Sequence, residues 1–580
     1  MTQRRTAASL LRVMPGIESA ASYRRSWLAK DIVAGVVLST LLVPQGMAYA
    51  ELAGLPPITG LYTSILCLLA YAVFGPSRIL VLGPDSSLGP MIAATILPLV
   101  ASGGDPARAV ALASMLAIMV AVIMILASVA KLGFIADLIS KPTMIGYMNG
   151  LALTILVGQL PKLFGFSVDS ENFFGDVTGF LNGVAGGDAN GAAVAVGVGG
   201  IALILAMQRW VPKIPAVLVM VVLAIAASSA FDLADRGVSL VGELPQGFPP
   251  FTIPHVGVAD LGLLFAGALG IALVSLTDTI STASSFAART GQEIRGNQEM
   301  VGIGAANLAA GLFQGFPVST SGSRTAVAER SGSKTQLTGL TGAVLILVMI
   351  VLLPGLFRDL PQPALAAIVI TASLSLADIP GTVRLWHQRK TEFWLSIAAF
   401  LGVAILGVAI LGVLPGIAVA VVLSILNIFR RAWWPYQTVL GRVPGLEGFH
   451  DVTVHPNARH LVGLEIYRFD APLFFANVKT FRDNVRRLAR QDPKPRWILV
   501  AAEPITDVDT TAADVLFELD RELDAQGTSL VFAELKTPVR TKIDRYGLAE
   551  AIEPAHFFGT VEEAVAAYIE HTGVNWTTES

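Results

Sequence analysis

The residues best suited to chemistry form the stretch Phe316-Pro-Val-Ser-Thr-Ser-Gly-Ser-Arg324, which places hydroxyls, a glycine and an arginine inside an apolar sequence. A second stretch, Gly83-Pro-Asp-Ser-Ser87, also places hydroxyls after a proline and before an apolar run. Each pattern is typical of a short helix that begins inside a membrane. The first amides of a helix have no partners within it, and the helix dipole makes that end partly positive. Two such ends that face each other would bind an anion without a metal.

The composition indicates a membrane protein. The chain has 580 residues, of which 53% are hydrophobic and 14% are charged, whereas soluble domains average about 25% charged residues. The net charge of -3 gives no support for nucleic acid as a partner. The single cysteine, Cys67, excludes a disulfide framework and a thiolate metal cluster. The sequence contains no Walker loop, metal-ligand motif or nucleophile–base pair, so we predict no cofactor and no enzymatic activity.

The apolar segments are long enough to predict membrane spans, which need about 20 residues each. They follow a polar, basic segment at 1–30, predicted to be cytoplasmic. The first set of spans is predicted at 31–53, 58–74, 86–100, 107–130, 134–161, 190–209 and 213–231. The second set is predicted at 257–283, 297–315, 321–332, 337–356, 362–378, 391–411 and 412–430.

The third member of each set is too short to cross a membrane as a regular helix. Short segments interrupted by glycine or proline at matching places in two halves indicate a transporter built from inverted repeats, with its binding site at those segments. The repeats are expected at about 31–231 and 257–430, within a transporter domain at 31–430.

Charge predicts the orientation of the spans, because cytoplasmic loops are enriched in lysine and arginine. Basic residues follow the even-numbered spans, as at Arg78, Lys131 and Arg209, whereas the long loop after the fifth span is acidic. The acidic residues of that loop are Asp169, Glu171, Asp176 and Asp188. Both termini are therefore expected in the cytoplasm.

After Trp433-Trp434-Pro435 the pattern changes to that of a soluble α/β domain. Apolar runs predict strands at Leu461–Arg468, Trp497–Ala502 and Thr528–Ala533. Amphipathic segments predict helices near Asn477–Gln491, Thr510–Gln526, Pro538–Tyr546 and Val561–His571. Alternating strands and helices predict a small sheet with helices packed on it.

Several motifs stand out in the membrane region: Val43-Pro-Gln-Gly-Met-Ala-Tyr-Ala50, Gly54-Leu-Pro-Pro57, Gly60-Leu-Tyr62, Phe74-Gly-Pro-Ser-Arg78, Leu82-Gly-Pro84, Asn307-Leu-Ala-Ala-Gly311 and Ser321-Gly-Ser-Arg324. In combination they resemble the SulP family of sulfate permeases, which includes the animal anion exchangers pendrin and prestin. The terminal region, through Asp470-Ala-Pro-Leu-Phe-Phe-Ala476 and Asp509-Thr-Thr511, resembles the STAS domain of the same family.

The resemblance implies an α-helical membrane protein of 14 spans, arranged as a 7+7 inverted repeat with core and gate domains. It implies a small cytoplasmic STAS domain at about 438–571, within a linker and STAS region at 431–580. It also implies a homodimer in the cell membrane and elevator-type alternating access, in which the core moves against the gate.

The resemblance further assigns the anion site to the starts of spans 3 and 10, facing span 1. The substrate-binding residues so implied are Gln45, Tyr49, Asp85, Ser86, Ser87, Ser321, Gly322 and Ser323. Backbone amides and hydroxyls donate to oxyanions, and glycine allows close approach, which agrees with this assignment. Gln45 follows Pro44, where a break in the helix would aim its amide inward. For Arg324, an intramembrane charge, we expect an electrostatic role in attracting the anion.

Two acids are candidates for ion coupling. An ionised Asp85 would repel an anion, whereas a protonated Asp85 would donate a hydrogen bond to it, which favours proton–anion symport. Asp278 in span 8 matches an acid of proton-coupled family members. A sodium-coupled bicarbonate branch also uses an aspartate there, and Thr277, Thr279 and Thr282 would then complete a sodium shell. The alternative structural interpretation is that Asp278 pairs with Arg324.

In the terminal domain, Asp509-Thr510-Thr511 precedes a predicted helix. The pattern is typical of a helix N-cap, and the alternative, implied by STAS-domain relatives, is a regulatory phosphorylation site at Thr510.

The predicted function is proton-coupled symport of a small inorganic oxyanion, with sulfate as the first candidate. The expected partners are that anion, protons and the lipid membrane. Three alternatives remain open: sodium-coupled bicarbonate symport, transport of a C4-dicarboxylate, and an anion-sensing or channel-like protein. The paired acids disfavour the last of these, because neither a sensor nor a channel needs a coupling site.

Overall fold

A computed structural model of the chain describes residues 14–100, 104–133, 140–168, 173–212, 214–290, 295–402, 413–548 and 552–574. The chain forms two compact units, Met1–Ser424 and Ile425–Ser580. Several predicted features lie outside the described residues: the start of the fifth span at 134, residue 213 at the start of the seventh span, the acids Asp169 and Glu171, and the boundary predicted between spans at 411 and 412.

The first half of the membrane unit is helical, with one short strand. Its elements are α1 (Pro15–Ala21), α2 (Leu28–Leu52), α3 (Pro57–Phe74), β1 (Leu82–Gly83), α4 (Gly89–Ile96), α5 (Pro106–Val129), α6 (Lys141–Phe164), α7 (Phe173–Gly186), α8 (Gly191–Trp210) and α9 (Ala216–Phe231).

The second half repeats this order from α10 onward. Its elements are α10 (Leu261–Thr290), α11 (Gly296–Leu312), β2 (Ser319–Thr320), α12 (Gly322–Arg330), α13 (Leu337–Leu352), α14 (Gln362–Leu376), α15 (Ile379–Gln388), α16 (Lys390–Leu401) and α17 (Val413–Trp433).

Within the described residues, 7 helical segments are long and apolar enough to cross a membrane, and three shorter apolar helical segments accompany them. The shorter ones are Gly89–Leu99, Ala216–Phe231 and Leu337–Leu352. A helix corresponds to every predicted span, which agrees with the prediction of a polytopic helical protein.

The packing of the helices follows the predicted repeat. In the first half α4 packs against α10, and the equivalent contact with the halves exchanged is α12 against α2. In the same way, the contact between α5 and α11 corresponds to the contact between α13 and α3. The contact between α8 and α14 corresponds to the contact between α16 and α6. The first two exchanges define a core of α2–α5 and α10–α13. The third defines a gate that includes α6, α8, α14 and α16.

A pair of very short strands joins the two half-length helices. β1 and β2 are antiparallel, with Leu82 opposite Thr320 and Gly83 opposite Ser319. The pairing satisfies backbone groups that have no helical partner, which is necessary because irregular backbone at membrane depth must be satisfied within the protein. It also places the starts of α4 and α12 next to each other.

Several elements add to or differ from the predicted ones. The segment at 1–30 contains α1, and the helix of the first predicted span begins at Leu28, three residues before that span. The acidic loop after α6 contains α7, and a separate amphipathic helix, α15, follows α14. The break predicted at Pro44 is absent, because α2 continues through this proline.

The second unit contains a sheet of six strands with helices packed on it. The strands are β3 (Gln437–Arg442), β4 (Phe449–Asp451), β5 (Leu464–Phe469), β6 (Trp497–Ala501), β7 (Ser529–Ala533) and β8 (Phe557–Phe558), in the order β4-β3-β5-β6-β7-β8. The helices are α18 (Val478–Ala489), α19 (Thr510–Asp524), α20 (Thr537–Arg545) and α21 (Val561–Thr572).

The three predicted strands are the parallel centre of this sheet, β5 to β7, where apolar residues face helices on both sides. The strands β3, β4 and β8 were not predicted from the sequence. They are edge or near-edge elements and are short or partly polar. β3 and β8 also pair with strands more than 20 residues away in the chain, whereas β4 pairs with the neighbouring β3.

Candidate functional site

A cavity of about 390 Å³ lies between the core and the gate. On the core side it is lined by residues of α2, the turn before α4, α10 and the start of α12. On the gate side it is lined by residues of α6, α8, α9 and α14. The two half-length helices, α4 and α12, therefore both begin at one cavity, as their sequences predict.

Most of the residues predicted for the anion site and for ion coupling line this cavity, and four do not. Those that line it are Gln45, Tyr49, Asp85, Ser86, Asp278, Thr282, Ser321, Gly322 and Ser323. Ser87, Thr277, Thr279 and Arg324 are buried and do not line it. The side-chain amide of Gln45 and the hydroxyl of Thr282 have no hydrogen-bond partner among the described residues, so both are available to a ligand.

The start of α12 is built from hydroxyls and free amides. Ser321 is the N-cap, and its Oγ accepts a hydrogen bond from the Arg324 amide at 3.5 Å. The hydroxyls of Ser321 and Ser323 lie 3.1 Å apart. The amides of Gly322 and Ser323 have no partner among the described residues, as is expected for the first residues of a helix. This end can donate several hydrogen bonds to an oxyanion.

The start of α4 is built differently from the prediction. Residues 86–88 form a turn, and the helix begins at Gly89 rather than at Ser86. The Oδ2 atom of Asp85 accepts hydrogen bonds from the Ser87 amide at 3.0 Å and from the Ser87 hydroxyl at 2.8 Å. This local bonding stabilises a turn in competition with the helix, so the helix begins later than the pattern of apolar residues indicates.

Ser87 also connects the two acids. Its Oγ lies 3.2 Å from Oδ2 of Asp278 and 2.8 Å from Oδ2 of Asp85. A hydroxyl has one proton to donate. Both contacts are therefore satisfied together when one of the two acids carries a proton and donates it to Ser87, while Ser87 donates to the other acid.

Arg324 is the most deeply buried charge near the site, with 1% of its surface exposed. Its Nη2 lies 3.8 Å from Oδ1 of Asp85, and its guanidinium nitrogens have no hydrogen-bond partner among the described residues. A Cβ atom at Gly83 would lie 3.0 Å from Nη1, so glycine leaves room for the guanidinium. The interpretation that Arg324 pairs with Asp278 is therefore wrong, because β1 brings Asp85 to the arginine instead.

The threonines near Asp278 have different partners. Thr279 accepts a hydrogen bond from the Thr320 hydroxyl at 3.0 Å, and Thr277 donates to the carbonyl of Leu273 at 2.8 Å. Thr282 lines the cavity. Of the predicted threonine ligands, only Thr282 therefore faces the same space as Asp278.

Comparisons with known proteins identify the family of the chain. The model of the sulfate permease family matches residues 28–399, and the model of the STAS domain matches residues 455–564. The chain belongs to the sulfate permease family. Its relatives are transporters, so this permease is a multi-pass membrane transporter and not an enzyme.

One relative and two solved structures illustrate the similarity. A Mycobacterium tuberculosis protein named a probable sulfate transporter is 40% identical over 558 residues, which cover 96% of this chain and 98% of the relative. The murine Slc26a9 anion transporter, in a structure described as inward-facing, has a TM-score of 0.87 at 22% identity, with 97% of this chain and 94% of that chain covered. The transmembrane domain of the cyanobacterial bicarbonate transporter BicA has a TM-score of 0.60 at 21% identity, with 70% and 98% covered. These structures share the fold of the permease.

The residues that line the gate side of the cavity were not predicted from the sequence. They include Met148, Gln208, Thr371 and Ser375, and the core residues Ser281 and Thr320 were also missed. Thr371 and Ser375 are four residues apart on α14, a spacing that places hydroxyls on one helix face, and this is the signal that was available. Both hydroxyls donate to carbonyls of α14 itself, so they present acceptor oxygens to the cavity.

In the STAS domain of the permease, Asp509 is the N-cap of α19. Its Oδ1 accepts from the Ala512 amide at 2.7 Å, and its Oδ2 accepts from the Phe475 amide at 2.9 Å. The N-cap interpretation is confirmed. Thr510 is the exposed first residue of the helix.

Proposed function

We propose that this permease is a secondary active transporter of a small oxyanion, with sulfate as the first candidate, driven by protons. The 40% identity to a protein named a probable sulfate transporter, over nearly the full length of both chains, supports the substrate. The observation that carries the proposal is the meeting of two helix starts and two acids, Asp85 and Asp278, at one cavity.

The proposed anion ligands belong mainly to α12. The free amides of Gly322 and Ser323 and the hydroxyls of Ser321 and Ser323 offer donors to an oxyanion, and the helix dipole supplies positive potential. Gln45 and Tyr49 from α2 line the same cavity and add an amide and a hydroxyl. A tetrahedral anion presents oxygens on every side, so it can accept from donors of both helices.

The role proposed for Arg324 is electrostatic. It does not line the cavity, yet its charge lies next to Asp85 and is almost completely removed from solvent. Charges interact more strongly at low dielectric, so the arginine offsets the repulsion that an ionised Asp85 exerts on the substrate. The anion then meets a site in which this pair of charges is close to neutral.

The proton is proposed to bind at Asp278. A single proton on Asp278 completes the contacts from Asp278 through Ser87 to Asp85, because Oδ2 of Asp278 then donates to Oγ of Ser87, and Oγ of Ser87 donates to Oδ2 of Asp85. Loss of that proton leaves two carboxylates facing one hydroxyl beside the anion. Binding of the proton therefore favours binding of the anion, which is the thermodynamic requirement for symport.

Alternating access is proposed to occur by movement of the core against the gate. Gate residues that line the cavity, such as Gln208, Val217 and Leu376, lie at helix ends predicted to be cytoplasmic. At the opposite ends, Lys162 of α6 donates to the carbonyl oxygen of Glu51 of α2 at 3.4 Å, which joins gate to core. The site would therefore face the cytoplasm with the outer side closed.

The test of access is a cross-link between Glu51→Cys and Lys162→Cys, made with a reducible bifunctional thiol reagent that matches the reach of the lysine, after replacement of Cys67, the only cysteine in the sequence. Cross-linking is expected to stop transport, and reduction is expected to restore it. Full transport in the cross-linked protein would rule out a movement that separates these two residues.

The proposal extends to the setting of the protein. We place the permease in the cell membrane with both termini in the cytoplasm, with a transporter domain at 31–430 and a linker and STAS region at 431–580, and as a homodimer. Thr510 is proposed as a regulatory site only in the second place, because capping by Asp509 already explains the local sequence.

The alternative coupling ion is sodium, with bicarbonate as the substrate. Asp278, Ser281 and Thr282 line the same cavity and offer the oxygen ligands that a sodium ion needs. The fold is also that of BicA, whose name specifies bicarbonate, although at 21% identity.

The deciding experiment is uptake of radiolabelled sulfate into proteoliposomes under an inward proton gradient, with sodium, bicarbonate and a C4-dicarboxylate varied. Accumulation of sulfate that depends on the proton gradient and not on sodium is expected. Sodium-dependent bicarbonate entry without sulfate uptake would overturn the proposed substrate and coupling ion, and uptake of the dicarboxylate alone would overturn the proposed substrate.

A further inference from the structure

One residue outside the cavity, Val318, has both of its backbone polar groups bonded by side chains from two core helices. Asn307 of α11 is completely buried, and its Oδ1 accepts a hydrogen bond from the Val318 amide at 3.0 Å. Its Nδ2 donates to the carbonyls of Val318 at 3.3 Å and Ile303 at 3.0 Å. Ser275 of α10 donates to the same Val318 carbonyl at 3.1 Å. The backbone amide and the backbone carbonyl of Val318 are therefore both bonded to side chains.

Val318 directly precedes β2, so its position sets the position of the anion-binding helix start. Ser319 and Thr320 pair with Gly83 and Leu82 of β1. The next residue, Ser321, donates its amide to the carbonyl of Val81 at 3.0 Å. A displacement of Val318 would therefore move both helix starts that line the cavity.

The Val318 carbonyl is also tied to the helix that carries the second acid. Ser275 precedes Asp278 by three residues on α10, so the two side chains share one face of that helix. The bond from Ser275 to Val318 thus fixes the distance between Asp278 and the strands. Val318 therefore holds three parts of the site in fixed positions relative to one another: the start of α12, the turn at Asp85 and the helix that carries Asp278.

We propose that Asn307 is a positioning residue for anion transport, which acts by holding the backbone amide and carbonyl of Val318. The inference rests on the proposed function and adds to it a residue that does not line the cavity. A preorganised site loses much of its affinity when its groups move by about 1 Å. Loss of the Asn307 bonds is therefore expected to weaken anion binding even though no ligand is removed.

A purely structural role would have a different signature. It would lower the amount of folded protein, and hence the maximal rate, and leave the KM of the remaining transporters unchanged. The chain offers a matched control in Asn477 of the STAS domain, which is also completely buried. Asn477 accepts from the Phe474 amide and donates to the carbonyls of Pro472 and Ala432, so it makes the same set of bonds as Asn307.

The test compares Asn307→Leu with Asn477→Leu in the full-length protein in proteoliposomes, by measuring uptake rate against sulfate concentration. Asn307→Leu is expected to raise the KM about tenfold or more, whereas Asn477→Leu is expected to leave the KM within about twofold of the wild type and to lower only the yield or the maximal rate.

Ser275→Ala is the second variant in case Asn307→Leu does not fold. It removes one of two donors to the Val318 carbonyl, and we expect a KM increase of about threefold. An unchanged KM in Ser275→Ala, or in a folded Asn307→Leu, would overturn the positioning role. If the wild type transports another anion instead of sulfate, the proposed substrate fails, and the same KM ratios are measured with that anion.

Discussion

The helix starts of α4 and α12 meet at one cavity, yet their donors are used differently. At α4 the carboxylate of Asp85 already occupies the amide and hydroxyl of Ser87. At α12 the cap is the neutral Ser321, and the amides of Gly322 and Ser323 have no partner among the described residues. The donors of Ser87 before α4 are therefore bonded to the carboxylate of Asp85, whereas the donors at the start of α12 are available to a substrate anion.

The difference separates two tasks that a symporter must perform. A site made of neutral donors binds an anion at any pH, and a site made of acids responds to protons. The two ends are held together by β1 and β2, and Arg324 of α12 reaches the carboxylate of Asp85. We therefore interpret the α12 end as the substrate site and the α4 end, with Asp278, as the coupling site.

The largest expected effect is that of Asp278→Asn, which removes the proposed proton site. Accumulation of sulfate under an inward proton gradient is expected to fall to the equilibrium level, while exchange of labelled for unlabelled sulfate continues. The control is Thr277→Val, because the Thr277 hydroxyl donates to its own helix. Accumulation by Asp278→Asn that still follows the proton gradient would assign coupling to another group.

Arg324→Gln and Asp85→Asn are expected to have opposite effects on the KM for sulfate. Removing the arginine leaves a buried, uncompensated carboxylate beside the anion, and we expect the KM to rise about 100-fold. The same change is expected to lower the free energy of unfolding by about 3–5 kcal/mol. Removing the Asp85 charge leaves the arginine to attract the anion, and the KM is expected to fall about tenfold. Effects in the same direction would contradict the electrostatic role.

Ser323→Ala tests the substrate end alone. It removes one hydroxyl donor from the cavity, and a KM increase of up to about tenfold is expected, since a neutral hydrogen bond contributes about 0.5–1.5 kcal/mol. The matched control is Ser373→Ala, because the buried Ser373 hydroxyl donates to the carbonyl of Ile370 in its own helix and does not line the cavity. Equal KM values for the two variants would remove Ser323 from the anion site.

Ser87→Ala is expected to have the smallest effect on the KM at a single pH, about threefold or less, because Ser87 does not line the cavity. Its effect is expected in the pH dependence of the KM, since the Ser87 hydroxyl that connects Asp85 to Asp278 is lost. Ser87→Thr keeps the hydroxyl and should retain the wild-type profile. An unchanged profile in Ser87→Ala would show that the two acids act independently.

The candidate site could be predicted in part from local sequence. Hydroxyls after proline at 83–87 and 316–324 identified both helix starts, because caps and helix breaks depend on neighbouring residues. The turn at Ser86 was missed, because its stability depends on the side-chain bonds of Asp85. The partner of Arg324 was left open by the sequence, since the choice between Asp85 and Asp278 depends on a strand pairing between distant segments.

The sequence by itself determined that this protein lies in a membrane, repeats its helices and ends in an α/β domain, because span length and hydrophobic period are local properties of the chain. Only the tertiary structure decided which residues share the cavity, such as Gln45 of α2 with Thr371 of α14. It also decided that Ser87 lies between Asp85 and Asp278. These relations join segments far apart in the chain, and their geometry depends on how the helices pack, which no local pattern specifies.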